Sequence, residues 1–139
     1  MDTDLNKCPC GKKIDYKNCC GKIHNDINLV QTAEDLMRSR YTAFTKGMID
    51  YLMKSHHSTT RPISEREDIE KWSRSVEWDH LEIISKSGGG LLDKIGLVEF
   101  KAFFYSLTMG KKKMECIHEK SEFVKENGHW VYINALNFN

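Results

Sequence analysis

A chain of 139 residues with 40% hydrophobic and 29% charged residues and a formal net charge of +1 fits one ordinary domain plus a small appendage. This balance excludes a disordered tail and gives no global electrostatic case for nucleic acid, and no apolar run approaches the ~20 residues needed to cross a bilayer. The N-terminal MDTDLNK is acidic and polar where a secretory leader is basic and then apolar, so the sequence predicts a cytoplasmic protein whose thiols stay reduced.

The first element in chain order is CPCGKKIDYKNCC, which puts Cys8, Cys10, Cys19 and Cys20, four of the five cysteines, into thirteen residues. A disulfide suits neither close pair, and bridges between the pairs need an oxidising compartment. One tetrahedral ion takes four sulfurs at about 2.3 Å and closes a loop too short to have its own core. Gly11 permits the turn such a knuckle needs. The predicted ion is Zn2+ rather than an iron–sulfur cluster, because four thiolates on so short a loop suit a closed tetrahedral site. His24 is a rival to Cys20 as fourth ligand. Five lysines between Lys7 and His24 face the single Asp15, a local balance of +4, and four thiolates around a dication bring −2 to it. The mildly basic module can steer towards an acidic partner, although solvated lysines are the commoner meaning of such a pattern.

Next comes TAEDLMRSRYTAFTKG. Thr32 and Asp35 form a capping box with a shortened acid, and Gly47 closes the helix. Ala33, Leu36, Met37, Tyr41 and Phe44 make one apolar face, with Arg40 near its centre and Arg38 well off it. A guanidinium in mid-stripe must leave the core or find an anion there. MIDYLMKSHH reads as a second, short helix. Ser64 and Glu67 predict the start of a third, running to about Arg74 with Ile69 and Trp72 on one side.

From Glu77 the texture changes to strands. WDHLEIIS leads into a glycine connection, Ser87–Gly90, and then into KIGLVEFKAFFYSL, where Val98, Phe100, Ala102 and Phe104 alternate with polar and aromatic residues. TMGKKK turns the chain, with Lys111–Lys113 expected at a solvated loop tip. MECIHEKSEFVK runs back, and ENG before HWVYINAL signals a hairpin. Cys116 falls in a strand pattern as a plain thiol. Helices followed by a strand meander predict an α+β fold, with helices covering one face of a curved antiparallel sheet.

Two resemblances attach to these residues. CPCGKKIDYKNCCG resembles the SEC-C motif, the zinc-binding tail module of the translocase motor SecA; it departs from that pattern at Lys12, where serine is usual. The resemblance implies Cys8, Cys10, Cys19 and Cys20 as ligands, with Tyr16 and Gly21 as packing and turn residues. It also implies a protein or ribosomal partner, since SEC-C modules are associated with contacts to the chaperone SecB and to ribosomes. LMRSRYTAF, the DYL…HH run, WDHLEI, VEFKAFF, HEKSEF and NGHWVY resemble the YchJ family, which joins a SEC-C knuckle to a nuclear-transport-factor-like (cystatin-like) cone. The implied division is a zinc module over residues 1–24 and a cone domain of three helices on a curved sheet over 30–139. That family brings no established activity, and cone folds of this kind often pair through the open sheet face, which leaves a homodimer open.

Strand parity singles out one polar group inside the cone. Ile117, Glu119, Ser121 and Phe123 share a face, so apolar Ile117 and Phe123 carry Glu119 and Ser121 inward. Arg40 is the expected partner of Glu119. Such a pair can be a structural pin, or Arg40, Tyr41, Glu119 and Ser121 can line a small-ligand pocket, with Tyr132 nearby. His56 and His118 are further positions expected to titrate near neutrality. No nucleophile–base arrangement and no phosphate loop is legible, and four sulfurs leave a metal no open position for water. The leading expectation is a zinc-bearing adaptor, with a ligand receptor or enzyme in the cone as the alternative.

Overall fold

Four antiparallel strands, β1 (Glu77–Gly88), β2 (Ile95–Thr108), β3 (Lys111–Glu126) and β4 (His129–Asn137), form a meander in the order β1-β2-β3-β4. The structure is a computed structural model and describes residues 6–137. The first five residues of the expected zinc module and the last two of the expected cone lie outside the described residues. In β2 the predicted alternation holds: Val98, Phe100, Ala102 and Phe104 are buried between partly exposed neighbours. In β1 the register slips between Trp78 and His80, so Trp78 and Leu81, three residues apart, are both turned from solvent. Further slips interrupt the β3–β4 pairing at Lys120/Ser121 and Glu122/Phe123. Bulges of this kind bend a strand and raise its twist, which gives the sheet a concave side.

The β3–β4 hairpin turns on Asn127 (φ 55°) and Gly128 (φ 85°), the paired left-handed conformation that Asn-Gly adopts most readily. Met109 and Gly110 make the β2–β3 turn in the same way. The turn is complete at Gly110, so Lys111–Lys113 are not a loop tip as expected but the first residues of β3, with Lys112 Nζ 2.9 Å from Glu77 Oε1.

Helices α1 (Cys20–Asn25), α2 (Ala33–Lys46), α3 (Ile49–Lys54) and α4 (Arg66–Ser75) precede the sheet. The predicted boundaries of α2 are met: the Asp35 amide donates to Thr32 Oγ1 at 3.0 Å, and Gly47 ends the helix in the left-handed region. The Ser64 cap is not formed. Residues 63–65 make a 3-10 turn, and α4 starts at Arg66 without a side-chain cap. The stretch between the knuckle and α2 contains the end of α1 and a 3-10 turn, Ile27–Leu29, with Ile27 and Val30 buried.

Leu36, Met37 and Tyr41 of α2 and Leu52 of α3 pack with Val98, Phe100, Phe123 and Trp130 in one apolar cluster. Burying a side chain such as Phe123, 0% exposed, contributes about 1.5–3 kcal/mol. The chain after α3 closes the outer edge of β4: His57 N donates to Tyr132 O, and Tyr132 N donates to Ser55 O. An unpaired edge is thereby capped by a segment of the same chain. The other side of the sheet carries charge, including His118 Nε2 2.7 Å from Glu99 Oε2, and Cys116 is an exposed thiol on β3. Among the described residues no helix is long and apolar enough to cross a membrane.

Candidate metal centre and cone cavity

The N-terminal segment builds its site with little apolar material. Cys8 N donates to Ile14 O, and Lys7 bridges to Asp15, so residues 7–15 make a miniature hairpin carrying Cys8 and Cys10. A 3-10 turn, Tyr16–Asn18, then leads to Cys19 and to Cys20 at the start of α1. Gly21 is required here by a close approach, since a Cβ at that position would stand 2.6 Å from Tyr16 O. The four Sγ atoms lie within 4.8 Å of one another, with Cys10 and Cys19 3.6 Å apart. Tetrahedral coordination at about 2.3 Å separates neighbouring sulfurs by about 3.8 Å, so the quartet fits one ion.

The electrostatics agree with that fit. Hydrogen bonds from the Cys10 and Cys20 thiols hold Cys8 far below the ordinary thiol range. The same contacts, with burial, push Cys20 far up, and burial followed by the charge of Cys10 takes Cys19 up to about 12. In the bare cluster Cys8 is thus favoured as a thiolate while Cys19 and Cys20 resist ionisation, an imbalance that a dication would remove by displacing their protons. Thr42 of α2 lies 3.5 Å from Cys20 Sγ, where its hydroxyl can donate, and 3.7 Å from Cys8 Sγ. Arg38 donates to Cys10 O at 2.6 Å and, through Nε, to Glu34.

His24, the rival fourth ligand, lies outside the group of four cysteines. Its Nε2–H donates to Ser39 O at 2.8 Å, which leaves Nδ1 to accept from the Tyr16 hydroxyl at 2.6 Å. Burial holds its pKa below the ordinary value, so the ring is a neutral peg between the knuckle and α2, with both nitrogens engaged.

On the opposite side of α2 the structure brings Arg40, Tyr41, Glu119 and Ser121 to one solvent-connected cavity of about 360 Å³. Its walls include Phe44, Trp72, Trp78 and Phe100. Trp72 and Trp78 meet edge to face at 5.4 Å, and Trp78 Nε1 donates to Ser73 O. The two tryptophans bracket the junction from α4 to β1, so only tertiary folding makes them one wall. Periodicity marks Trp72 as part of a helix face and says nothing about Trp78.

The expected Arg40–Glu119 ion pair is absent among the described residues. Arg40 Nη1 instead donates to Leu52 O at 3.0 Å and Ser55 Oγ at 2.7 Å, and its guanidinium lies over the Tyr132 ring, 4.8 Å from the centroid. The Tyr132 hydroxyl donates to Glu119 Oε2 at 3.2 Å, and Ser121 Oγ donates to the same oxygen at 2.6 Å. Tyr132 stands between the two charges because the Ser55–His57 segment docks on β4 and draws Arg40 towards the end of α3. Burial lowers Arg40 to about 10, which leaves it charged at neutral pH. His56, edge-on to Tyr132 at 4.9 Å, does not titrate near neutrality: burial, then the charge of Arg40, lowers it to about 4.

Comparison with known proteins matches this geometry. A family model described as the YchJ middle NTF2-like domain matches residues 32–135. A UPF0225 protein of Vibrio parahaemolyticus is 40% identical over 92% of this chain and 73% of its own length. One from Streptomyces coelicolor is 38% identical over 92% and 93%, respectively. The solution structure of a SEC-C motif containing protein from Rhodopseudomonas palustris superposes with a TM-score of 0.80 at 27% identity, covering 96% of this chain and 99% of that one. A crystal structure of a SEC-C motif containing protein from Psychrobacter arcticus gives 0.75 at 26% identity, covering 100% and 86%. With an NTF2-like cone behind a four-cysteine knuckle, and relatives matched over most of their length, the chain belongs to the YchJ (UPF0225) family.

Proposed function

We propose that this protein is a small-ligand receptor whose cone cavity is the binding site and whose knuckle holds one structural Zn2+. The observation that carries this reading is the cavity itself. At about 360 Å³ it falls in the range of small-molecule sites, with mostly apolar walls and a few convergent polar groups at Arg40, Glu119 and Tyr132. The knuckle's role is mechanical. It fastens one side of α2 through Thr42, Ser39 and Arg38, while the other side of the same helix lines the cavity. Four sulfurs complete a tetrahedral shell, which suits a structural ion rather than a catalytic one.

The test is an amide chemical-shift screen of the full-length zinc-loaded protein against a small-molecule library. Hits should shift residues of α2, α4 and the centre of β3 together. Hits confined to other surfaces, or none, overturn the receptor reading. Elemental analysis of the reduced protein should give one zinc per chain without iron.

The adaptor reading is supported by the exposed Lys13, Lys17 and Lys22 around the cysteine quartet, which suit an acidic protein or ribosomal surface. Reversing these three lysines to glutamate should then abolish ribosome co-sedimentation or partner capture while zinc is retained. Unchanged capture removes that role.

A further inference from the structure

Arg40 is the most unusual charge in the molecule. It is 8% exposed, yet no carboxylate pairs with it among the described residues. Both of its hydrogen bonds leave from Nη1, one to the Leu52 carbonyl at the end of α3 and one to Ser55. Neither Nε nor Nη2 donates to protein among the described residues, neither is sealed from solvent, and Arg40 lines the cavity. A guanidinium in so buried a place with free donors on one edge is costly unless an acceptor comes to it. Glu119 does not fill that role. It is more exposed than Arg40 and already accepts from Ser121 and Tyr132.

The guanidinium lies over the Tyr132 ring and is anchored through Nη1, which leaves its Nε/Nη2 edge as a planar fork, the donor pattern that matches the two oxygens of a carboxylate. Beyond this polar end the walls are aromatic: Phe44, Trp72, Trp78 and Phe100. Among the described residues that line the cavity the other basic group is His56, which burial keeps neutral at physiological pH, so Arg40 is the cation the lining presents and one anionic head suffices.

We infer that the cavity takes a small carboxylate amphiphile, its carboxylate on the Nε/Nη2 edge of Arg40 and its apolar or aromatic body against Trp72 and Trp78. This rests on the receptor reading above and names the ligand class for the same cavity. The class excludes molecules with a cationic head, which would meet Arg40 directly. It also disfavours polyanions such as nucleotides, since a single guanidinium would face several charges beside Glu119.

The experiment compares matched probes on the zinc-loaded full-length protein by calorimetry and amide shifts: octanoate against 1-octanol and octylamine, and 2-naphthoate against 2-naphthol. At least one carboxylate should bind at least about tenfold more tightly than its alcohol, octylamine should not bind, and Arg40→Met should remove the preference while keeping alcohol binding. If Arg40→Met fails to fold, the wild-type comparison decides alone. Alcohols binding in the cavity as tightly as their carboxylates overturn the carboxylate assignment and leave the receptor reading standing. If no probe binds while the library screen gives cavity hits, the carboxylate assignment falls alone; if the screen gives none either, both fall.

Discussion

The knuckle and the cone use the same helix in opposite ways. The cone buries a continuous apolar cluster, from Leu36 and Tyr41 on α2 to Phe123 and Trp130 on the sheet. Among the described residues the knuckle's apolar interior is Cys8, Cys10 and Cys20, with the partly buried Tyr16 and Cys19 packed against them. One region is held by the removal of apolar surface from water, and the other by side-chain chemistry around four sulfurs. Between them, α2 is covered on both sides. Thr42 is 0% exposed although polar, because Cys20 of the knuckle accepts from its hydroxyl; Ser39, equally buried, bonds Leu36 O and the Tyr51 hydroxyl through its side chain and offers the knuckle its backbone carbonyl, which His24 meets. A buried polar residue on a surface helix can therefore be the footprint of a second module.

The sharpest way to separate the two regions is to remove one sulfur of the cysteine quartet. Cys20→Ser should abolish stoichiometric zinc and unfold the knuckle, with loss of the Tyr16–His24 contact in amide spectra, whereas His24→Ala should retain one zinc per chain. Metal loss in the second variant and not the first would reverse the ligand assignment. Cavity creation acts on the other region: Phe123→Ala should cost about 3–5 kcal/mol in denaturant unfolding while zinc stoichiometry is unchanged.

Thr42→Val tests the seam. It removes the hydroxyl beside Cys20 and Cys8 while nearly preserving volume, and zinc affinity, read by chelator competition, should fall about 10–100-fold. Unchanged affinity would make the seam mere packing. The smallest effect concerns acid. His56 has an ordinary value of 6.5 and about 4 in the folded protein, so the unfolded chain takes up its proton first. Its contribution is complete above pH 6.5 and is lost as pH falls towards 4, because acid favours the state that binds more protons. Melting temperature should therefore drop more steeply over that interval in wild type than in His56→Asn. Zinc release affects both proteins, so the difference between them isolates His56.

Much of the architecture was legible because it is written over short distances. Thr32 and Gly47 mark the ends of α2, Asn127–Gly128 marks a hairpin, and alternation in β2 and β3 put Val98, Phe100, Ser121 and Phe123 on the inner face. Local rules misled where a neighbour overruled them. Ser64 does not cap α4 because the chain enters through a 3-10 turn, and Lys111–Lys113 are drawn into β3 because a two-residue turn needs no longer loop.

The sequence by itself determined the cysteine spacing, the helix and hairpin signals and the inward face of each long strand, since each depends on residues within a few positions of one another. Only the tertiary structure decided that both His24 nitrogens are occupied, that Tyr132 stands between Arg40 and Glu119, and that Trp72 and Trp78 form one wall of an open cavity. Those are facts of distance between segments remote in sequence. Periodicity can say which way a side chain points, but packing alone settles what it meets.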